Sequence, residues 1–231
     1  MGRGRVLPAS FYDRDVAVVA RDLLGRVVES ETDEGLVAVR LVEVEAYAGE
    51  DDAASHAWRG PTPRTAVMFG PPGRVYVYFT YGMHWCANVV CGPDGRASAV
   101  LMRGGEVVEG LELARSRRRP GVPDRGLASG PANLASCLGL DGSWTGQRVT
   151  SARGALRLRA GSPVDDAQVA TGPRIGIARA TEVPWRYVVA GDPHVSGRRR
   201  DGPARAGAAT RSASPSRWPR PSPSWRRSRG S

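Results

Sequence analysis

The stretch Leu36-Val37-Ala38-Val39-Arg40-Leu41-Val42-Glu43-Val44-Glu45-Ala46-Tyr47 decides the fold. It is rich in β-branched residues, so it reads as a long strand. Simple alternation places Ala38, Arg40, Val42, Val44 and Ala46 on one face and Val37, Val39, Leu41, Glu43, Glu45 and Tyr47 on the other. Two carboxylates and an aromatic then share a strand face beside a loop, where sites are commonly built. Periodicity by itself supports a plainer alternative, in which both glutamates decorate a solvated face.

Outward from this strand, residues 26–29 supply a partner across the polar turn segment 32–35. Before it, Asp13 precedes the apolar run Val16, Ala17, Val18, Val19, Ala20, Leu23 and Leu24, which Gly25 follows: a capped helix with a glycine stop. Residues 48–73 form a Gly/Pro-rich loop longer than a compact domain needs, which implies a function or hidden structure. Further strands are predicted at 74–80, 85–91 and 97–103, with Tyr81-Gly82-Met83-His84 as a tight turn between the first two. Helical periodicity covers 107–118, and Pro131 opens a second helix over 131–138. Residues 156–159, 174–178 and 186–190 are later strand candidates. Strands and helices without regular βαβ alternation indicate an α+β fold, a single domain over 5–197 built on a curved, largely antiparallel sheet with flanking helices.

Charge divides the chain sharply. The net charge of +10 comes almost entirely from residues 198–231, which carry ten arginines and one acid, Asp201. The body is near neutral, so bulk attraction to nucleic acid is argued only for the tail. That tail collapses to Arg, Ala, Gly, Pro and Ser without periodicity and is expected to be disordered. An evolved basic arm and a shifted reading frame account for it equally well. The chain has no lysine, which excludes imine chemistry on a lysine side chain and leaves water as the nucleophile for any glycosidic cleavage. Three cysteines and no leader-like apolar segment suggest a reduced cytoplasmic setting, and no apolar run approaches the roughly 20 residues of a membrane span. His84, Cys86 and Cys91 invite a zinc reading, but they lack paired ligand spacing, and core packing is preferred for both cysteines.

Along the next strand, Tyr76, Tyr78 and Thr80 share one face and Val77 and Phe79 the other. Tyr81 beside Gly82 and Met83 on a turn tip exposes a large ring, a feature suited to wedging between bases. Together the two segments, with Glu45, Tyr47, His56, Tyr78, Tyr81, Asn88 and Arg103 in that order, resemble the alkyladenine (3-methyladenine) DNA glycosylase family. The resemblance runs from about Leu7 to Ser196. It includes Ser129-Gly130-Pro131-Ala132-Asn133-Leu134 and Gly191-Asp192-Pro193-His194-Val195-Ser196, which are similar to that family's later motifs.

The resemblance implies an enzyme that flips alkylated or deaminated purines from double-stranded DNA and hydrolyses the N-glycosidic bond; the missing lysines make a monofunctional enzyme the expectation, and a monomer is expected. By similarity, Glu45 is the general base, and Arg103 orients it and keeps it ionised. Tyr47, His56 and Tyr78 stack on the extruded base, Asn88 crowds the 2-amino position of guanine, and Tyr81 fills the gap in the duplex. The resemblance implies neither metal nor cofactor. Arg59, Arg64, Arg74, Arg115, Arg117, Arg118 and Arg119 are candidates for phosphate contact, with a solvated surface as the default for each. A non-catalytic nucleic-acid binder that uses its basic tail is the competing expectation, and it would make Glu45 incidental.

Overall fold

A computed structural model describes residues 4–80 and 82–197; Tyr81 and the tail, with its expected disorder, lie outside the described residues. Twelve regular elements follow one another as α1 (Ala9–Tyr12), α2 (Val16–Leu23), β1 (Val27–Thr32), β2 (Gly35–Tyr47), β3 (Val75–Thr80), β4 (His84–Val90), β5 (Ala99–Glu109), α3 (Leu111–Ser116), α4 (Pro131–Leu138), β6 (Leu156–Arg159), β7 (Val169–Gly172) and β8 (Arg186–Val189). The α+β expectation holds. The eight strands form one sheet in the order β3-β4-β5-β2-β1-β6, with β8 joining β2 and β7, and every pairing is antiparallel. Among the described residues no helix is long and apolar enough to cross a membrane.

β2 is the axis of the sheet. β5 lines one of its edges, while the other edge pairs with β1 over Gly35 to Arg40 and with β8 over Glu43 to Glu45. Where the partner changes, the β2–β5 ladder is irregular. Leu41 faces Gly105, Glu43 faces Gly104 and Val44 faces Met102, so Val42 and then Arg103 are left without an opposite residue. Such bulges reverse the alternation of a strand. Val37, Val39 and Leu41 pack into the main core, yet so do Val44 and Ala46. Glu43, Glu45 and Tyr47 therefore point away from the core that Val37, Val39 and Leu41 enter, which corrects the single-face pattern expected from simple alternation. The close approach needed at this point explains Gly105, where a Cβ would meet the Arg40 carbonyl oxygen at 2.3 Å.

The main core lies between one sheet face and the helices α2 and α4. α2 is capped by Asp15, whose side chain accepts from the Ala17 amide at 2.8 Å; Asp13, the expected cap, instead ends α1. α4 begins at Pro131 as expected and stops at Gly139, which adopts a left-handed φ of 67°. Residues 107–109 continue β5 and the following helix spans only Leu111–Ser116, shorter than the 107–118 periodicity predicts. Pairing of Val107 with Val39 overrides its local helical pattern. Residues 174–178 form no strand. Pro173 and Gly176 break the segment, and β7 forms just before it.

A smaller apolar cluster of Ala57, Met68, Tyr76, Val90, Ala97 and Ala99 lies on the other sheet face, beneath the long loop. That loop does carry hidden structure, in two short 3₁₀ turns at Gly49–Asp51 and Ala66–Phe69.

Candidate active site

The sheet register assembles the site. Tyr76 is opposite Asn88, Asn88 is opposite Leu101, and Leu101 is opposite Glu45. One row across β3, β4, β5 and β2 thus brings side chains that are distant in sequence onto one face. Over this face lies a cavity of about 490 Å³, walled by Tyr47, His56, Tyr76, Tyr78, Asn88 and Arg103, with Met68 and the 175–179 segment closing it. Its size is within the roughly 300–1,000 Å³ of pockets that hold small molecules.

Five of the expected residues, Tyr47, His56, Tyr78, Asn88 and Arg103, line this cavity together. The imidazole of His56 meets the Tyr78 ring edge-on with centroids 4.5 Å apart, and its Nδ1 shares a 3.1 Å hydrogen bond with the Tyr76 hydroxyl. Burial, with the nearby Arg64, lowers the His56 pKa and favours the neutral ring. Asn88 is buried and donates to the Tyr76 carbonyl oxygen at 3.0 Å, which fixes its amide. Tyr81 lies outside the described residues.

Glu45 is 0 % exposed and sits directly behind this wall. Its Oε2 accepts from the Tyr47 hydroxyl at 2.8 Å and is ion-paired with Arg103 Nη1 at 3.2 Å, while its Oε1 accepts from the Ile175 amide at 2.7 Å. Burial and the adjacent Glu45 raise the Tyr47 pKa, which keeps the phenol a donor. Burial opposes the charge on Arg103, but Glu45 and Glu43 outweigh it and hold the guanidinium protonated. Arg103 Nε also donates to Glu43 Oε1 at 3.0 Å, so a single guanidinium spans both carboxylates. The solvated-face alternative for Glu43 and Glu45 fails, since both are fully buried and ion-paired.

Several residues at this site escaped the sequence reading. Arg174, expected in a strand, is a buried cation paired with Asp52 and lying 4.6 Å from the Tyr47 ring centroid. The flanking Pro173 and Gly176 were the available signal that this segment is a loop approaching the site. Ile175 acts through its backbone amide, for which side-chain identity carries no signal. Cys86 lines the cavity rather than the core, whereas Cys91 packs in the core as expected. Of the candidate arginines, Arg64 lies 5.5 Å from the Tyr78 ring centroid and Arg59 5.9 Å from Trp58. Arg74, Arg115 and Arg117 are engaged internally, with Gly146, Asp124 and Glu34 respectively.

The chain matches the family described as Methylpurine-DNA glycosylase over residues 10–193. It is 51% identical over 201 residues to a Streptomyces avermitilis protein, covering 86% of this chain and 94% of that one. It is 52% identical over 198 residues to a Frankia casuarinae protein, covering 82% and 91%. A Burkholderia lata protein is 47% identical over 194 residues, covering 84% and 92%. Each of the three bears the name "Putative 3-methyladenine DNA glycosylase". The match falls within the body rather than the basic tail, which leaves the tail-driven binder without support. With the ordered carboxylate and aromatic cavity it assigns this chain to the methylpurine-DNA glycosylase family, and so to the DNA-repair enzymes that hydrolyse N-glycosyl bonds.

Proposed function

We propose that the protein acts as a monomer on double-stranded DNA in the bacterial cytoplasm, takes an alkylated or deaminated purine into the aromatic cavity, and hydrolyses its bond to the sugar with a water held by Glu45. The observation that carries this reading is the ordering of the buried Glu45 carboxylate by Tyr47, Arg103 and the Ile175 amide. A carboxylate offers about four lone-pair sites. The Tyr47 hydroxyl donates to Oε2, beside which Arg103 forms an ion pair, and the Ile175 amide donates to Oε1. Among the described residues Oε1 accepts this one hydrogen bond, which leaves it a further acceptor site. A carboxylate fixed in this way can orient one water, accept its proton as the water oxygen bonds to C1′, and stabilise the positive charge developing on the sugar. The electron pair of the breaking C1′–N bond leaves with the base: a cationic alkylated purine departs as a neutral molecule, and a neutral deaminated purine departs as its anion and takes a proton from solvent.

Tyr47, His56 and Tyr78 would stack on the extruded base, and the neutral state favoured for His56 suits contact with a cationic ring. Asn88, tied to the Tyr76 carbonyl, would crowd a 2-amino group. Tyr81 would fill the gap in the duplex, next to the exposed Phe79 and Met83. The test is Glu45→Gln, which keeps the shape and removes the base. Release of free base from alkylated duplex DNA should fall by about 10²–10⁴-fold, the usual contribution of general-base catalysis, while affinity for an abasic-analogue duplex persists. Full activity in that variant would remove Glu45 from the mechanism.

A further inference from the structure

Glu43 is as deeply buried as Glu45, and neither lines the cavity, but Glu45 contacts two cavity-lining residues, Tyr47 and Arg103, and Glu43 contacts only Arg103 among them. Its Oε1 accepts from Arg186 Nε at 2.7 Å, from Ser196 Oγ at 2.9 Å and from Arg103 Nε at 3.0 Å, and its Oε2 accepts from the Ser196 amide at 2.6 Å. Four donors hold it, three on Oε1 and one on Oε2. Burial pushes the Glu43 carboxyl up, but the Ser196 amide, Arg103 and Arg186 outweigh that and hold it below the usual carboxylate range. The charges alternate through the protein as Arg186, Glu43, Arg103 and Glu45, and the chain of contacts ends at the cavity wall.

The Gly191–Ser196 motif accounts for the Ser196 end. Asp192 anchors the turn, accepting from the His194 amide at 2.9 Å and pairing with Arg40 at 2.9 Å. Val195 is buried, and Ser196 then presents both its N–H and its hydroxyl to Glu43. The motif touches nothing in the cavity directly.

We infer that Glu43 and Ser196 are positioning residues, which hold the Arg103 guanidinium so that it pairs with Glu45 Oε2 through Nη1 alone and leaves Oε1 able to accept from water. This rests on the reading of Glu45 as the base. With Glu43 charged, the Arg103 fork is divided, Nε on Glu43 and Nη1 on Glu45. If the Glu43 charge is lost, Glu45 becomes the sole anionic partner in contact with Arg103, and the planar fork is drawn into two parallel bonds with it, as arginine and carboxylate prefer. The Oε1 site would then be occupied, and the base would be present but unable to hold its water. Binding of the extruded base uses other groups and should be spared.

The experiment uses the full chain and a duplex carrying one hypoxanthine. It measures single-turnover base release, affinity for an abasic-analogue duplex, and thermal midpoint for Glu43→Gln, Ser196→Ala, Ser196→Thr and Glu45→Gln. Misplacing a catalytic group by about 1 Å can cost on the order of 10²-fold. Glu43→Gln should therefore slow release by roughly 10–100-fold with affinity within about twofold of the parent. Ser196→Ala should lower the rate by a smaller factor, and Ser196→Thr, which keeps the hydroxyl, should recover most of it. A Glu43→Gln rate within about twofold of the parent, or rate and affinity falling in equal proportion, would overturn the inference. If Glu43→Gln does not fold, the serine pair decides, and equal rates for Ser196→Ala and Ser196→Thr would overturn it. An active Glu45→Gln would instead sink the underlying reading of Glu45, whatever Glu43 does.

Discussion

Asp52 and Arg174 form an ion pair whose side chains are 1 % and 0 % exposed. Arg174 Nη2 donates to Asp52 Oδ1 at 2.8 Å and Nη1 to the Ala46 carbonyl at 2.9 Å, and its guanidinium carbon lies 4.6 Å from the Tyr47 ring and 5.4 Å from the Trp185 ring. Asp52→Asn keeps the shape but leaves an enclosed cation without its counter-charge and turns an amide N–H₂ toward existing donors. Breaking such a pair costs about 3–5 kcal/mol. For a domain of this size each kcal/mol lowers the melting midpoint by roughly 2–4 °C, so Asp52→Asn should melt about 6–20 °C below the parent. The companion is the double variant Asp52→Leu with Arg174→Met, which removes both charges and should recover much of the loss. Thermal melts followed by circular dichroism measure both. Because Arg174 also backs the Tyr47 ring, base release at a temperature well below the melt should fall in Asp52→Asn. A midpoint within about 2 °C of the parent would refute the claim that this charge is enclosed and uncompensated without Asp52.

Tyr47→Phe keeps the ring but removes a donor to the buried Glu45 carboxylate, a bond of a kind worth about 1.5–3 kcal/mol; single-turnover release should slow by roughly 10–150-fold. Because burial and Arg64 lower the folded-state pKa of His56, the unfolded chain binds this proton more readily, so its contribution to stability is present above the unfolded value of about 6.5 and is lost as pH falls toward the folded one. Urea titrations from pH 7.5 down to 5 should therefore show a decline that is smaller in His56→Gln. Tyr81→Ala should reduce release from a fully paired duplex more than from a bulged one, because the bulge has already given up its stacking; equal losses on both substrates would exclude a wedge.

Much of the candidate site was legible in the chain as written. The resemblance to the alkyladenine DNA glycosylase family singled out Glu45, Tyr47, His56, Tyr78, Asn88 and Arg103, while the residues alone pointed only to an acid-rich strand end and to the aromatic alternation of Tyr76 and Tyr78. α4 and β6 were also evident, since Pro131 fixes a helix start and the residues from Leu156 to Arg159 alternate cleanly. Contacts that depend on pairing partners were not legible. Alternation placed Glu43 and Glu45 on the face of Val37, Val39 and Leu41. The irregular ladder opposite Val42 and Arg103 puts them on the other, because a bulge is a property of two strands together and leaves no mark in the period of one. Residues 107–109 followed the same logic, where β pairing prevailed over a helical pattern too short to stand alone. Arg174, Arg186 and Ser196 reach Tyr47 and Glu43 across sequence gaps of more than a hundred residues, and the Ile175 amide acts through a group that every non-proline residue possesses. Local sequence determined which side chains could do the chemistry; the sheet register and the closing turns decided which of them meet, since those depend on how distant segments jointly satisfy burial and hydrogen bonding.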